Sequence, residues 1–300
     1  MATRCGFVAI VGRPNVGKST LVNRLLGQKL SITSRRPQTT RHAILGIHTV
    51  GDAQAILIDT PGLHAQRKGA LNRYLNRTAA AALADVDVVV LVVDRLQWSD
   101  EDQAVLERLR EHPAPLLLAL NKVDLLADKS ALLPRIEALA ASGRYRDIIP
   151  LSAHTGGNVD ALERRILELL PAGEHMYADD QYTDRSERFL AAEVVREKLT
   201  RQLDQELPYI LSVEIERFQR GDRILAIDAV IWVERTSQKA IVIGRGGEGL
   251  KRVGSRARQD LERLFGQQVL LRLWVRVKER WTDDEQALQR LGYVEPGPRE

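Results

Sequence analysis

Eight residues near the start of the chain, Gly12-Arg13-Pro14-Asn15-Val16-Gly17-Lys18-Ser19, have the spacing G-x-x-x-x-G-K-[ST]. Their types suit one chemistry. Glycines let several backbone N–H groups converge on a small volume, a lysine brings positive charge there, and a hydroxyl at a helix start can ligate a divalent cation. This is a cradle for nucleotide phosphates. Lys18 would reach the β- and γ-phosphates, Ser19 would ligate Mg²⁺, and Thr20 extends the binding run.

Three further groups fit around that cradle. Asp59-Thr60-Pro61-Gly62 follows the apolar run Ala55–Ile58. A carboxylate at a strand's C-terminal edge is placed to hold Mg²⁺ through water, and Gly62 lets a backbone N–H approach the γ-phosphate. Between these motifs, residues 28–48 are polar and basic around a Pro-Gln-Thr-Thr centre. A threonine here can close over the γ-phosphate and complete the magnesium shell; Thr40 is the first choice and Thr39 the alternative. Asn121-Lys122-Val123-Asp124 ends another apolar run. Guanine presents N1–H and its 2-amino group side by side, so the single carboxylate of Asp124 can accept both. Adenine offers an acceptor at N1 and would leave that carboxylate unpaired, a mismatch that such sites penalise heavily. Asn121 would tie the base site to the phosphate loop while the Lys122 stem covers the base. Ser152-Ala153 follows Ile148–Leu151, where the Ala153 N–H could meet guanine O6.

These groups must be held by a suitable frame. Phe7–Val11 predicts a strand before the phosphate loop, and Leu21, Val22, Leu25 and Leu26 share one face of a helix ending near Gly27. Strands are also predicted at 55–58, 88–93, 116–120 and 148–151. Helices follow, one with Val105, Leu106 and Leu109 inward and another over 159–170. Near-continuous apolar strands alternating with amphipathic helices indicate a mostly parallel sheet covered on both faces. Asp94 reads as a turn or cap, and residues 63–77 as a mobile segment that senses the third phosphate.

Composition limits the remaining possibilities. The chain has 300 residues, 44% hydrophobic and only 5% aromatic, so aliphatic side chains must build its cores. A net charge of +4 suits anionic partners. Cys5 is the lone cysteine, which excludes a disulfide framework and points to a reducing compartment. The six histidines show no metal-ligand spacing. The N-terminus is expected to run straight into a strand with no targeting segment before it, and Val88–Val93 is far too short to span a membrane. A soluble, cytoplasmic protein is expected. Without heptads or exposed strand signals, it is expected to be a monomer.

Residues 172–188 are polar and irregular and read as a linker between a first domain, 1–171, and a second, 189–300. A helix over 186–203 opens the second, followed by a hairpin of strands 209–218 and 223–234. By local apolarity Ala240–Ile243 is a strand. It leads into Gly244-Arg245-Gly246-Gly247 and a helix over 250–265, then a strand over 269–277 and a helix from Trp281 to Tyr293. Arg245, Lys251, Arg252, Arg256 and Arg258 gather on or after the glycine loop, opposed locally by Glu248. A loop poor in side chains beside a dense basic patch is what single-stranded RNA needs, and Ile243 could line a groove for bases. Trp274 and Trp281 read as packing residues.

GRPNVGKS, PQTTR, DTPG, NKVD and SA together resemble the five nucleotide motifs of translation-factor-class GTPases. The resemblance implies a Ras-like α/β domain that binds GTP or GDP with Mg²⁺ and hydrolyses GTP. Lys18, Thr40, Gly62 and Asn15 would then be the groups at the reaction. Leu63 stands where Ras-like proteins carry a water-orienting glutamine. The resemblance implies that Asn15 helps to hold K⁺, as its equivalent does in related GTPases with a hydrophobic residue there, and the alternative is an asparagine that merely fits the loop's turn. The order helix, strand, strand, short helix, GRGG, helix, strand resembles a type II KH domain, which implies that 238–243 is a short helix instead. The whole arrangement, with DTPGLH and the ending WTDDEQALQRLGY, resembles the Era family of bacterial GTPases. That resemblance implies a factor for 30S ribosomal subunit biogenesis that binds the 3′ end of 16S rRNA, with peripheral contact at the inner membrane face. Two rivals fit parts of the chain. NKVD and DTPG argue against a metabolic phosphotransferase. A membrane-surface signalling GTPase whose basic domain binds protein or lipid is the alternative.

Overall fold

The structure, a computed structural model, describes residues 2–33, 39–61, 70–95, 98–203, 207, 210–279 and 281. Its first body contains β1 (Arg4–Val11), α1 (Lys18–Leu25), β2 (Ile44–Val50), β3 (Ala53–Asp59), α2 (Ala70–Ala81), β4 (Val88–Asp94), α3 (Asp100–Arg108), β5 (Leu116–Asn121), α4 (Leu132–Ala140), β6 (Asp147–Pro150) and α5 (Val159–Leu169). The strands form one sheet in the order β2-β3-β1-β4-β5-β6. Only the β2–β3 pair is antiparallel.

The long apolar strands divide their side chains between two cores because successive residues point to opposite faces. Val88, Val90 and Val92 join Leu21, Val22 and Leu25 of α1 and Leu162 and Ile166 of α5. Val89, Leu91 and Val93 pack instead with Val105 and Leu106 of α3. The parallel strands therefore end along one edge of the sheet, and the phosphate loop, Asp59, Asp94 and Asn121 all lie at those C-terminal ends.

Two expectations for this body are corrected. β2 arises from residues read as part of a connecting loop. It is an edge strand, half covered, and Gly46 at its centre leaves room for Leu26, whose Cδ1 would lie 2.6 Å from a Cβ at that position. Residues 70–77, expected to be mobile, belong to α2, where Leu75 and Ala79 are buried.

The second body contains α6 (Glu187–Gln202), β7 (Ser212–Arg220), β8 (Ile224–Val233), α7 (Thr236–Ile243), α8 (Glu248–Phe265) and β9 (Gln268–Val277). Its sheet runs β7-β8-β9, antiparallel between the first pair and parallel between the second. A separate core joins α6, α8 and the inner face of this sheet. Residues 236–243 form α7, as the KH resemblance implies, and the strand suggested by local apolarity is corrected. Gln238 in its first turn accepts the backbone N–H groups of Glu234 and Arg235 at 2.8 and 2.9 Å, which starts a helix. Ile241 remains exposed while Val242 is buried. Trp281 packs as expected, buried with its indole N–H donating to the Ile210 carbonyl at 3.0 Å. Trp274 does not; it is exposed on the outer face of β9. The expected C-terminal helix beyond Trp281 lies outside the described residues.

The segment 172–186 has no helix or long strand, but it is fastened to the first sheet. Gln54, fully buried in β3, accepts the Met176 and Tyr177 N–H groups at 2.9 and 3.0 Å and donates to the Tyr177 carbonyl at 2.9 Å. Thr183 donates to the Leu45 carbonyl at 2.8 Å. This connection is bound rather than loose.

Candidate nucleotide and nucleic-acid sites

The phosphate loop turns sharply between β1 and α1. Asn15 and Gly17 both lie at positive φ, 64° and 106°. At Gly17 a side chain is also excluded by space, because a Cβ there would collide with the Asn121 amide nitrogen. Val16 is buried in the core, while Pro14 and Thr20 are half-buried. Lys18 is buried, and its ammonium donates to the Gly12 and Arg13 carbonyls at 2.9 and 3.0 Å. Burial pulls its pKa down to about 8, against the raising effect of Asp59. An anion bound here would favour the charged form. Arg13 points elsewhere and pairs at 3.0 Å with Asp102, the residue that closes the capping box at the start of α3.

Ser19, Thr40 and Asp59 converge although they come from α1, the loop before β2 and the end of β3. Ser19 Oγ and Thr40 Oγ1 are 2.8 Å apart, and Thr40 Oγ1 lies 3.5 Å from Asp59 Oδ2. Asp59 is fully buried, and its Oδ1 has no hydrogen-bond partner. Burial pushes its carboxyl above the ordinary range, opposed by the nearby Ser19 hydroxyl and by Lys18. A buried carboxylate oxygen left unpaired beside two hydroxyls fits a hard divalent cation, which takes oxygen ligands. The hydroxyl at this cluster belongs to Thr40. Thr39 turns its carbonyl to Arg196. Thr60 donates its hydroxyl to the Ile10 carbonyl at 2.9 Å, locking β3 to β1, and Pro61 is buried beside it. Gly62 and Leu63 lie outside the described residues.

Asn121 is the joint between the phosphate and base loops. Its amide donates to the Val16 carbonyl at 2.7 Å, and its Oδ1 accepts the Lys122 and Ala153 N–H groups at 2.8 and 2.9 Å. The Ala153 N–H, expected to meet guanine O6, is thus already used in holding Asn121. Lys122 sits at φ 64° and spans back to the phosphate loop, donating to the Asn15 carbonyl and to Asp94, both at 2.7 Å. Burial alone would raise the Asp94 carboxyl, but the bonds from Lys122 and Arg95 hold it below its ordinary range. Asp94 therefore anchors Lys122, a role its reading as a turn or cap missed. The signal was a lone acid ending a strand beside the NKVD strand. Asp124 is exposed in the short 3-10 turn Val123–Leu125. Ser152 shapes the last loop, its hydroxyl accepting from the Thr155 N–H at 3.1 Å.

In the second body, α7 ends at Ile243, and from Gly244 the chain passes through a short turn into α8. Gly246 and Gly247 lie at φ 59° and 84°, and a Cβ at either would meet nothing within 4 Å. The turn is backbone facing open space. Ile243 is half-buried at its edge. Arg245, Lys251, Arg252 and Arg256 are all exposed. Arg258 differs, since it pairs with Glu262 at 2.9 Å on its own helix.

A phosphate loop, a carboxylate–hydroxyl cluster and an Asn-Lys-x-Asp base loop on a Ras-like sheet define a GTPase. The glycine turn set between α7 and α8 on a three-stranded sheet adds a KH domain. A 50S ribosome-binding GTPase family model matches residues 7–122, and a KH domain model matches residues 206–282. GTPase Era of Azotobacter vinelandii is 60% identical over 290 residues, covering 97% of each chain. GTPase Era of Pseudomonas aeruginosa is 58% identical, covering 97% of this chain and 95% of that one. Two solved structures of Era share the fold at 37% identity. One is in complex with MgGDPNP and nucleotides 1506–1542 of 16S ribosomal RNA, with a TM-score of 0.93 over 97% of this chain and 99% of that one. The other is a single-residue variant of Aquifex aeolicus Era bound to GDP·AlF4⁻, with a TM-score of 0.92 over 97% and 100%. The chain belongs to the Era family of GTPases, and it binds GTP and hydrolyses it to GDP and phosphate.

Proposed function

We propose that this GTPase is a switch that grips the 3′ end of 16S rRNA through its GRGG turn and acts in biogenesis of the 30S subunit in the cytoplasm. The observation that carries the RNA reading is the open backbone at Gly246 and Gly247 beside exposed Arg245, Lys251, Arg252 and Arg256. A phosphodiester can approach such a turn closely, and the cations neutralise it. The Era structure that holds nucleotides 1506–1542 of 16S rRNA supports the same target here. The basic surface is also where contact with the inner membrane face would be made. Among the described residues no helix is long and apolar enough to cross a membrane.

In the nucleotide site Lys18 exchanges its two carbonyl partners for the β- and γ-phosphates and stabilises charge as the terminal phosphoryl group leaves. The carboxylate of Asp124 accepts from guanine, while Asn121 and Lys122 hold the base loop against the phosphate loop. Ser19, Thr40 and Asp59 would hold Mg²⁺, which when bound neutralises phosphate charge. For K⁺, Asn15 offers one neutral side-chain oxygen. Its left-handed backbone already accounts for an asparagine in this turn.

Gly246→Asp tests the RNA reading, since Asp tolerates the left-handed region and places negative charge at the backbone approach. Its affinity for an RNA of the 16S 3′ end should fall at least ~10-fold, with GDP affinity kept within about twofold. Fluorescence anisotropy measures both. Equal RNA affinity of variant and wild type, or no binding by either, would sink the proposal.

A further inference from the structure

The loop that carries Thr40 is held from outside the GTPase domain. Arg196, on α6, is buried. Its Nε and one terminal nitrogen donate to the two carboxylate oxygens of Glu193, each at 2.7 Å, and that nitrogen also donates to the Thr39 carbonyl. On the other side of Thr40, the Arg41 guanidinium donates to the Leu211 carbonyl at 2.7 Å. Both neighbours of Thr40 are thus bonded to the KH domain. Burial alone would raise the Glu193 carboxyl, but the Arg196 charge holds it below its ordinary range, so the pair stays ionised.

The arm that presents Arg196 is rigid. α6 is a 16-residue helix packed in the KH core through Val195 and Leu199, and Gln202 at its end donates to the Gly249 carbonyl at 2.9 Å. The Thr39 carbonyl shares one planar peptide with the Thr40 nitrogen. Fixing that oxygen leaves Thr40 only its own φ and χ1 with which to place its hydroxyl, which lies 2.8 Å from Ser19 Oγ. We infer that Arg196 is a positioning residue of the GTPase site, supplied by the KH domain. It holds the Thr39–Thr40 peptide so that the Thr40 hydroxyl meets Ser19 and Asp59. The inference rests on Thr40 working at the nucleotide.

Arg196→Ala alone would leave the Glu193 carboxylate buried without its main partner, which is strongly destabilising. The better variant is Glu193→Leu with Arg196→Met. Removing both charges together is often neutral for stability and still deletes the donor to Thr39. The full-length double variant should stay folded, melting modestly below wild type because the Thr39 carbonyl loses a donor, and bind GDP within about twofold of wild type. Its kcat should fall ~10–100-fold with little change in KM. Its preference for a non-hydrolysable GTP analogue over GDP, measured by displacing a fluorescent nucleotide, should fall about tenfold. Thr40→Ala should reproduce both losses, and adding it to the double variant should cost nothing further. Wild-type kcat and analogue preference in the folded double variant, beside a damaged Thr40→Ala, would overturn the inference alone. So would losses that multiply when the variants are combined. An inert Thr40→Ala would overturn the site reading, and the inference with it.

Discussion

Asn121→Asp is nearly isosteric, yet it inverts one hydrogen bond at the joint of the nucleotide site. Oδ1 can still accept the Lys122 and Ala153 N–H groups, now 2.8 and 2.9 Å away. The other atom changes from a donor to an anionic oxygen facing the Val16 carbonyl, 2.7 Å away, inside a residue only 2% exposed. Losing that bond and leaving the carbonyl unpaired costs about 1–3 kcal/mol. Burying the charge adds a similar amount, offset in part by the two N–H groups, so the variant should lose ~3 kcal/mol near neutral pH. The penalty should depend on pH with a defined sign. Burial raises the new carboxyl's pKa in the folded state above its unfolded value of about 3.9. The cost is therefore complete above the folded pKa and disappears as pH falls towards the unfolded one. The protonated acid can donate to Val16 as the amide did. Urea unfolding of variant and wild type from about pH 7.5 down to about pH 4 reads the difference directly. GDP affinity should follow, weakening up to ~100-fold at neutral pH, because one ligand must hold both loops. A stability difference that stays flat across that range, or grows at low pH, would refute the reasoning.

His42, behind the Thr40 loop, is buried against Phe189 and Tyr74, and burial lowers its pKa to about 3, with Arg196, Arg185 and Arg41 opposing its charge and Glu193 favouring it. It is neutral when folded, so stability should fall as pH drops from about 6.5 towards about 3, by up to ~1.4 kcal/mol per pH unit from this group. His42→Gln should flatten that part of a urea-unfolding pH profile, and an unchanged slope would count against it. Gln54→Ala removes the three bonds to Met176 and Tyr177. It should cost ~2–4 kcal/mol in urea unfolding and open residues 172–186 to limited proteolysis; wild-type resistance would show that the segment is held by other contacts.

Chemistry that depends on neighbours in sequence is legible in the sequence alone. The spacing of Gly12, Gly17, Lys18 and Ser19 prescribes a phosphate loop because backbone N–H groups a few residues apart must converge. Valines 88–90, 92 and 93, with Leu91, prescribe a doubly covered strand because no polar face interrupts them. The expectation of guanine rests on Asp124, one carboxylate for two adjacent donors. The β2 strand was obscured because an edge strand interrupted by Gly46 carries half the apolar signal of a central one. The helix at 236–243 was hidden because Ile241 is apolar yet exposed, so local apolarity misstates what is buried. The fastening of residues 172–186 depended on Gln54, a polar residue whose burial no local pattern announces.

Contacts between distant residues belonged to the tertiary structure. Either Thr39 or Thr40 satisfies the sequence, and only the path of the loop puts the Thr40 hydroxyl at Ser19 and the Thr39 carbonyl at Arg196. Asp94 becomes the anchor of Lys122 because β4 and β5 are adjacent in the sheet, with Asp94 paired to Asn121 in register. Local periodicity fixes which face a side chain takes, since it follows from the backbone repeat. Which side chain it meets there depends on how the chain closes on itself, and that information lies in packing over the whole fold.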